Sequence, residues 1–266
     1  MEYFNLYDDT KILIYGKCNC CDNIDFISKS IIDNKCWEPN ITGLFHFLYG
    51  NKIDNILFDV GANIGYFSLI SSKFCQNIYS FDVNKCNIHL LNRSIKLNNI
   101  TNINTYCKCI VDSNNKFYKT NNISGHNIGA LRIEECDQTS SNIENLLLDD
   151  FIIENNIDNI DIMKIDIEGS ELICLGGLKK TLTSDIIKNV IIEVTPLWGI
   201  EEAVNILKIL NENNYRLYDV GLKECGEYDK DDYNFKLILN NPIDDIRNYI
   251  STVKVQTNIL GKKILL

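Results

Sequence analysis

The segment Ile56-Leu57-Phe58-Asp59-Val60-Gly61-Ala62-Asn63-Ile64-Gly65 constrains the fold of this chain more than any other. Its first half is a short, nearly continuous apolar run, which fits a strand covered on both faces. Two glycines follow, which permit positive φ and expose bare backbone. The apolar spacing of 66–74 then predicts a helix. A strand that enters a helix through such a turn begins a βαβ unit, and the first helical amides face the crevice at the strand's carboxyl end. A dinucleotide fingerprint reads G-x-G-x-x-G, its middle glycine making room for a pyrophosphate. Here the second glycine comes four residues after the first and Asn63 fills the middle, which speaks against NAD. Asp59, just before the glycines, suits an ammonium group better than a phosphate.

The same alternation continues along the chain. Strands are expected at 55–60, 77–81, 103–111, 160–167 and 189–194. Helices are expected at 41–49, 85–98, 143–155, 171–182 and 201–211. Residues 215–220 and 235–239 read as a closing antiparallel pair, and 11–15 and 26–32 as short strands before the first helix. A polar loop rich in Asn, Ser and Gly follows the third strand. Apolar strands alternating with helices imply an α/β fold, doubly wound, with a mostly parallel seven-stranded sheet and a small N-terminal strand extension. The 266 residues fit one such domain with additions. The expected organisation is an extension over 1–40, the central domain over 41–240, and a tail over 241–266 packed on or beside it.

Parallel sheets place ligands beyond the carboxyl ends of their strands. The residues expected there are Asp59, Asp82, Asp112, Asp166 with Glu168, and Glu193, and every one is acidic. A phosphate-rich cofactor would want the opposite. Asp82 follows the glycine loop by about twenty residues, where a carboxylate accepts ribose hydroxyls; the alternative is a turn or N-cap aspartate. Asp166 and Glu168 are two apart, so in an extended segment they face one side. One of them is expected as a general base, its pKa raised by the other. Alternatively, Asp166 orders the loop or binds a cofactor amine while Glu168 caps the next helix. Glu193 is a candidate for an acceptor hydroxyl or for an ion pair at the sheet edge. His126, in the polar loop, either recognises the acceptor or is solvated. His46 and His89 look structural, and Lys164 is expected to lie covered, without chemistry.

The net charge of −10 repels phosphate backbones, so nucleic acid is not the expected partner. No apolar stretch spans a bilayer, and the N-terminus lacks a signal-peptide pattern. The 11 cysteines are irregularly spaced, which suggests free thiols in a reducing, intracellular setting. Cys18, Cys20, Cys21 and Cys36 lack the paired spacing of a zinc knuckle and read better as thiols than as metal ligands.

At several places the chain resembles the FkbM-type methyltransferases. Phe58–Leu69 is similar to that family's first motif, and Cys36-Trp37-Glu38-Pro39 to the segment that precedes it. The stretch Ile162-Met163-Lys164-Ile165-Asp166-Ile167-Glu168-Gly169-Ser170-Glu171, with Leu175-Gly176-Gly177 after it, is the most diagnostic likeness. Val190–Val194 resembles the fifth strand. One departure is Phe81-Asp82-Val83, where the family usually has F-E-P; the acid is shorter and the proline gone. The resemblance implies a Rossmann-like class I fold with S-adenosylmethionine as cofactor. Asp59 and the loop Gly61, Ala62, Asn63 and Gly65 would hold its methionine end, and Asp82 its ribose. Asp112 would lie near the adenine, unless it is a turn residue. Glu38 would close the pocket, unless it is an exposed acid at a helix start. The family implies O-methylation of a saccharide or glycosylated metabolite, a mechanism that requires no metal. The alternatives are a catalytically inactive, cofactor-binding partner subunit and, disfavoured by the glycine spacing, a nucleotide-dependent oxidoreductase.

Overall fold

The computed structural model describes residues 3–15, 25–122, 131–220, 226–228, 235–237 and 242–264. The chain opens with an antiparallel hairpin of β1 (Tyr3–Asn5) and β2 (Lys11–Leu13). Helix α1 (Phe26–Asn34) comes next, where a strand was expected. The Asp25 side chain caps it by accepting from the Ser28 amide at 3.0 Å, and Ser28 and Ile31 form its buried face. An N-cap acid followed by i, i+3 burial is a helix start, and it outweighs the β-branched residues in the segment. Helix α2 (Pro39–Tyr49) starts on a proline, suited to a first turn.

The core βαβ succession is β3 (Asn55–Val60), α3 (Tyr66–Ser71), β4 (Cys75–Asp82), α4 (Lys85–Leu97) and β5 (Ile103–Cys107). The expected third strand breaks at Lys108, and β6 (Cys109–Ile110) leaves the sheet. The polar stretch that follows is no simple loop. It contains an antiparallel hairpin of β7 (Phe117–Asn122) and β8 (Leu131–Cys136). Next, β9 (Asn145–Leu146) pairs with β6, so α5 (Leu148–Glu154) begins later than expected. The second half runs β10 (Ile162–Ile165), α6 (Glu171–Gly176), α7 (Lys179–Thr183), β11 (Asn189–Val194), α8 (Ile200–Glu212) and β12 (Tyr215–Asp219). It closes with β13 (Gly226–Tyr228), β14 (Phe235–Leu237), α9 (Ile246–Thr252) and β15 (Thr257–Lys263).

The central sheet has seven strands in the order β12-β15-β11-β10-β3-β4-β5. Six strands point the same way and β15 runs opposite to them. The seventh strand is therefore 257–263, not 235–239; β14 pairs with β13 in a separate two-stranded sheet. The sequence Thr257-Asn258-Ile259-Leu260-Gly261-Lys262-Lys263 reads as a polar tail, yet all of it but Lys262 is buried. Lys263 is accommodated because its Nζ donates to the carbonyls of Leu182 (2.8 Å) and Asn213 (2.9 Å).

The two faces of the sheet carry separate cores. Phe58, Val60, Met163, Ile165, Val190 and Ile192 pack under α5 to α9. Leu57, Ile78, Ile162, Ile191 and Leu260 pack under α1 to α4. Strand order turns in opposite directions from β3 and from β10, so a crevice opens where those two strands end. Among the described residues no helix is long and apolar enough to cross a membrane.

Candidate active site

A cleft of about 310 Å³ lies at that switch point. Its floor is the glycine loop. The amides of Gly61 and Ala62 both donate to the Phe81 carbonyl at 2.9 Å, which pins the loop to β4. Gly61 has φ +88, and a Cβ there would sit 1.8 Å from the Asp166 carbonyl oxygen. The backbones of β3 and β10 therefore meet at a point where no side chain fits.

Asp82 ends β4 and joins the loop to the next helix. One oxygen accepts from the Asn63 amide (2.8 Å) and Asn87 Nδ2 (3.2 Å), the other from the Asn84 amide (2.7 Å). Burial pushes its pKa up to about 6, against the pull of these hydrogen bonds. The helix cap itself is Asn84.

On the other side, one lysine stands among several acids. Lys164 lies opposite Asp59 in register, with its side chain 3% exposed and 4.9 Å from the Phe67 ring centre. Its Nζ donates to Asp166 Oδ2 at 2.7 Å. Burial alone would lower its pKa, but Asp166, Glu38 and Asp59 together raise it, so it remains charged. Asp59 does not reach the cleft. It is buried beneath, accepting from Ser68 Oγ at 2.5 Å, and burial raises its pKa. Glu38 precedes α2 with φ +42, an unusual backbone for a residue before proline. Its Oε1 accepts from Asn258 Nδ2 at 3.4 Å, and its buried Oε2 has no partner. Burial, opposed by Lys164 and aided by Asp166, brings it to about 7.

Glu168 also has a left-handed backbone, φ +54. Burial and then Asp166 raise its pKa, while Arg132 and Lys164 oppose this. Glu171 braces the turn: its Oε1 accepts from the amides of Ile167 (3.0 Å) and Gly169 (3.2 Å). Glu193 is 7% exposed and accepts from Gln256 Nε2 at 2.8 Å. Burial first, then Asp166, Glu168, Glu171 and Glu38, push it up to about 9, so it holds its proton at neutral pH.

That shift sets a sign for pH. An ordinary glutamate titrates near about 4.3. Between that value and about 9 the folded chain binds a proton that the unfolded chain has lost, so this group makes stability fall as pH rises. Glu193→Gln is expected to flatten the decline of the thermal midpoint between pH 5 and pH 9. Superimposable wild-type and variant profiles would contradict the assignment.

Of the residues singled out from sequence, Glu38, Gly61, Ala62, Asn63, Asp82, Asp166, Glu168 and Glu193 line this one cleft. Three others do not. Asp59 lies below it; Gly65 packs on Leu91; Asp112 turns away to Lys116 Nζ at 3.1 Å and beneath Gly176. Lys108, Cys109 and Ile110 line the end expected of Asp112, facing Leu131 and Ile133 of the hairpin. His126 lies outside the described residues, as do Cys18, Cys20 and Cys21. Cys36 is buried, its Sγ accepting from the Tyr66 hydroxyl at 3.2 Å. Sequence reading missed Lys164 as a site residue, and with it Trp37, Phe26 and Gln256. Trp37 packs edge-on against Phe26, ring centres 5.7 Å apart. Its place beside Glu38 was the available signal; Gln256 carried none.

A family model described as the methyltransferase FkbM domain matches residues 59–217. The protein "Methyltransferase 1" from Beauveria bassiana (strain ARSEF 2860) is 25% identical over 219 residues, 73% of this chain and 82% of that one. Similar solved structures include an rRNA methylase from Streptococcus thermophilus, with TM-score 0.48 and 11% identity over 85% of this chain and 97% of that one. A precorrin-6y C5,15-methyltransferase from Geobacter metallireducens GS-15 gives TM-score 0.45 and 10% identity, over 83% and 86%. TrmK from M. capricolum, solved with S-adenosyl-homocysteine, gives TM-score 0.39 and 16% identity, over 83% and 67%. The matched family range contains the glycine loop, Asp82, Asp166, Glu168 and Glu193, but not Trp37, Glu38 or Gln256.

Proposed function

The chain belongs to the FkbM methyltransferase family, whose members depend on S-adenosylmethionine, and from that premise we propose that its cleft transfers a methyl group to a hydroxyl of a saccharide or glycosylated metabolite. The observation that carries this reading is the buried, partnerless Oε2 of Glu38 in a rim of carboxylates. Ionised carboxylates only accept hydrogen bonds, so the rim, protonated Glu193 apart, fits a ligand rich in donors, with an ammonium and ribose hydroxyls. When bound, the cofactor supplies an electrophilic methyl on a sulfonium.

The chain's own residues divide the remaining work. Glu38, which lines the cleft where Asp59 does not, takes the ammonium. Asp82 already accepts three hydrogen bonds. A carboxylate has about four lone-pair sites, so it has room for about one ribose hydroxyl, not both. Asp166 is engaged by Lys164 and orients that side of the cleft. Glu168, whose pKa burial raises against the pull of Arg132 and Lys164, takes the proton that an attacking hydroxyl gives up. Protonated Glu193, with Gln256, offers the acceptor a neutral hydrogen-bonding edge. Trp37 and Phe26 supply aromatic surface on which a sugar ring can lie. The net charge of −10 supports an uncharged acceptor over a phosphate backbone.

Asp82→Ala is expected to weaken S-adenosylmethionine binding about 10–100-fold, from the loss of roughly 1.5–3 kcal/mol. Unchanged affinity by calorimetry removes Asp82 from the site. The whole reading is tested by labelled-methyl transfer from S-adenosylmethionine into extract, with Glu168→Gln beside the wild type. Label in a saccharide fraction, lost in the variant, supports it. Binding without transfer favours the inactive partner subunit, and binding of NAD in place of S-adenosylmethionine overturns both.

A further inference from the structure

Arg132 ties the β7–β8 hairpin to two other walls of the cleft, beside the anchor that buried Tyr118 makes against Cys109 and Val111. Arg132, on β8, donates its Nε–H to the backbone carbonyl of Glu168 at 3.0 Å. Its guanidinium lies 3.9 Å from the centre of the Trp198 ring. Three segments distant in sequence therefore meet at one residue: the hairpin, the turn after β10, and the loop between β11 and α8. The turn is unusual in its own right. Glu168 (φ +54) and Gly169 (φ +96) are consecutive left-handed residues. A Cβ on Gly169 would lie 2.8 Å from Trp198 Cε3 and 3.5 Å from Arg132 Nη2. The indole and the guanidinium occupy the space that the missing side chain leaves. Backbone held in such a conformation persists only where its surroundings over-determine it. Glu171 holds the turn through the amides of Ile167 and Gly169. Arg132 holds the turn from the other side, through the Glu168 carbonyl.

We propose that Arg132 is a positioning residue, which locks the Glu168 turn through the carbonyl and the Trp198 face and clamps the hairpin wall, Leu131 and Ile133, onto the cleft. The bond goes to the carbonyl, so the carboxylate of Glu168 stays turned to the cleft that both hairpin residues line. Arginine suits this place because its planar fork stacks on an aromatic face while an edge N–H donates; lysine, a compact point charge, has no planar group to do both at once. The lock is a property of the folded chain. Its consequence for catalysis rests on the reading of the cleft given above.

Hydrogen exchange on the unliganded full chain tests the lock directly. Arg132→Ala is expected to speed exchange of the Ile167 and Gly169 amides and of β8 about tenfold or more, leaving β3 and β11 unchanged. Arg132→Lys keeps the charge and is expected to behave like Arg132→Ala. Trp198→Phe keeps a ring face and is expected to stay close to wild type, whereas Trp198→Leu is not. The second readout is dissociation of S-adenosylhomocysteine, expected to be about tenfold faster in Arg132→Ala with association unchanged. Exchange within twofold of wild type in Arg132→Ala, or full rescue by Arg132→Lys, overturns the proposal. Should Arg132→Ala not fold, the two Trp198 variants decide by the same criteria. A wild type that shows the exchange pattern but binds no S-adenosylhomocysteine supports the lock and sinks the cofactor reading.

Discussion

Lys164→Met is expected to destabilise the chain by about 3–5 kcal/mol at pH 8, the usual cost of removing one partner from a buried charge cluster. Methionine fills much the same volume, so packing against Phe67 survives and little of the loss is a cavity term. What disappears is the cation facing Asp59, Asp166 and Glu38. Asp59 is 1% exposed, with Ser68 Oγ as a hydrogen-bond donor, and one hydroxyl does not offset a buried negative charge. The acids would answer by taking up protons. Their folded pKa values would rise further, so the variant would lose stability as pH climbs from the unfolded carboxylate range towards the new folded values. Urea unfolding at pH 5 and pH 8 reads this out: the deficit should be small at pH 5 and large at pH 8. A deficit under about 1 kcal/mol at both, or one that grows on acidification, would falsify the view of Lys164 as the counter-ion of the cluster.

The sequence-level reading found the acids but not their cation, and the reason is physical. Strand ends in a parallel sheet are legible where a short apolar run is bounded by turn residues and followed by a helix signal. The bounds of Asn55–Val60 and Asn189–Val194 came out as expected. The carboxyl ends of such strands converge, so Asp82, Asp166 and Glu193 could be placed together without knowing any contact. Which face each residue takes is harder. Asp59 is one residue short of the strand tip and, in register with Lys164 and Ser80, points under α3. Asp112 was misplaced because the third strand breaks at Lys108 and β6 leaves for β9, which moves Asp112 off the sheet edge. Asp166 and Glu168 both line the cleft, but extended alternation is not what brings them there. Strand β10 stops at Ile165, and a left-handed turn, not extended backbone, turns Glu168 to the cleft.

What stayed hidden depends on partners far away in sequence. The strand Thr257–Lys263 has polar ends that look solvated until β11 and β12 close on it, and Gln256 enters the cleft only because that strand is inserted there. The hairpin β7–β8 alternates apolar and polar residues only at Leu131-Arg132-Ile133-Glu134, too short a run to separate it from a loop. Its contacts are tertiary: Tyr118 is buried against Cys109 and Val111, and Arg132 lies on Trp198, 66 positions along the chain. The site is thus half a product of the strand-end rule and half a product of tertiary closure by the hairpin and by the segments on either side of the family's matched range.

Gly61→Ala tests the floor of the cleft, where those two halves meet. Its φ of +88 is strained for any residue with a Cβ, at a cost on the order of 1–3 kcal/mol. A second, independent cost comes from crowding. The new Cβ would lie 1.8 Å from the Asp166 oxygen, 2.7 Å from its carbon and 3.0 Å from Ile167 Cγ2. Two of these are backbone atoms of a strand end tied to β3 by the Asp166 amide on the Val60 carbonyl at 3.0 Å, so neither side yields without parting the strands. Overpacking of this kind adds about 1–3 kcal/mol, giving a total of roughly 2–6 kcal/mol. The displacement would also pass through the Gly61 and Ala62 amides on Phe81, and through the Asn63 amide to Asp82, so cofactor affinity should fall even where the variant stays folded. Gly50→Ala separates the two costs. Gly50 also has a positive φ, +54, but nothing lies within 4 Å of its added Cβ. It should therefore suffer the backbone strain alone and leave binding of S-adenosylmethionine untouched. Paired urea unfolding and cofactor titration decide the matter. If Gly61→Ala loses no more stability than Gly50→Ala and binds cofactor as the wild type does, the close approach of β3 and β10 does not shape the site.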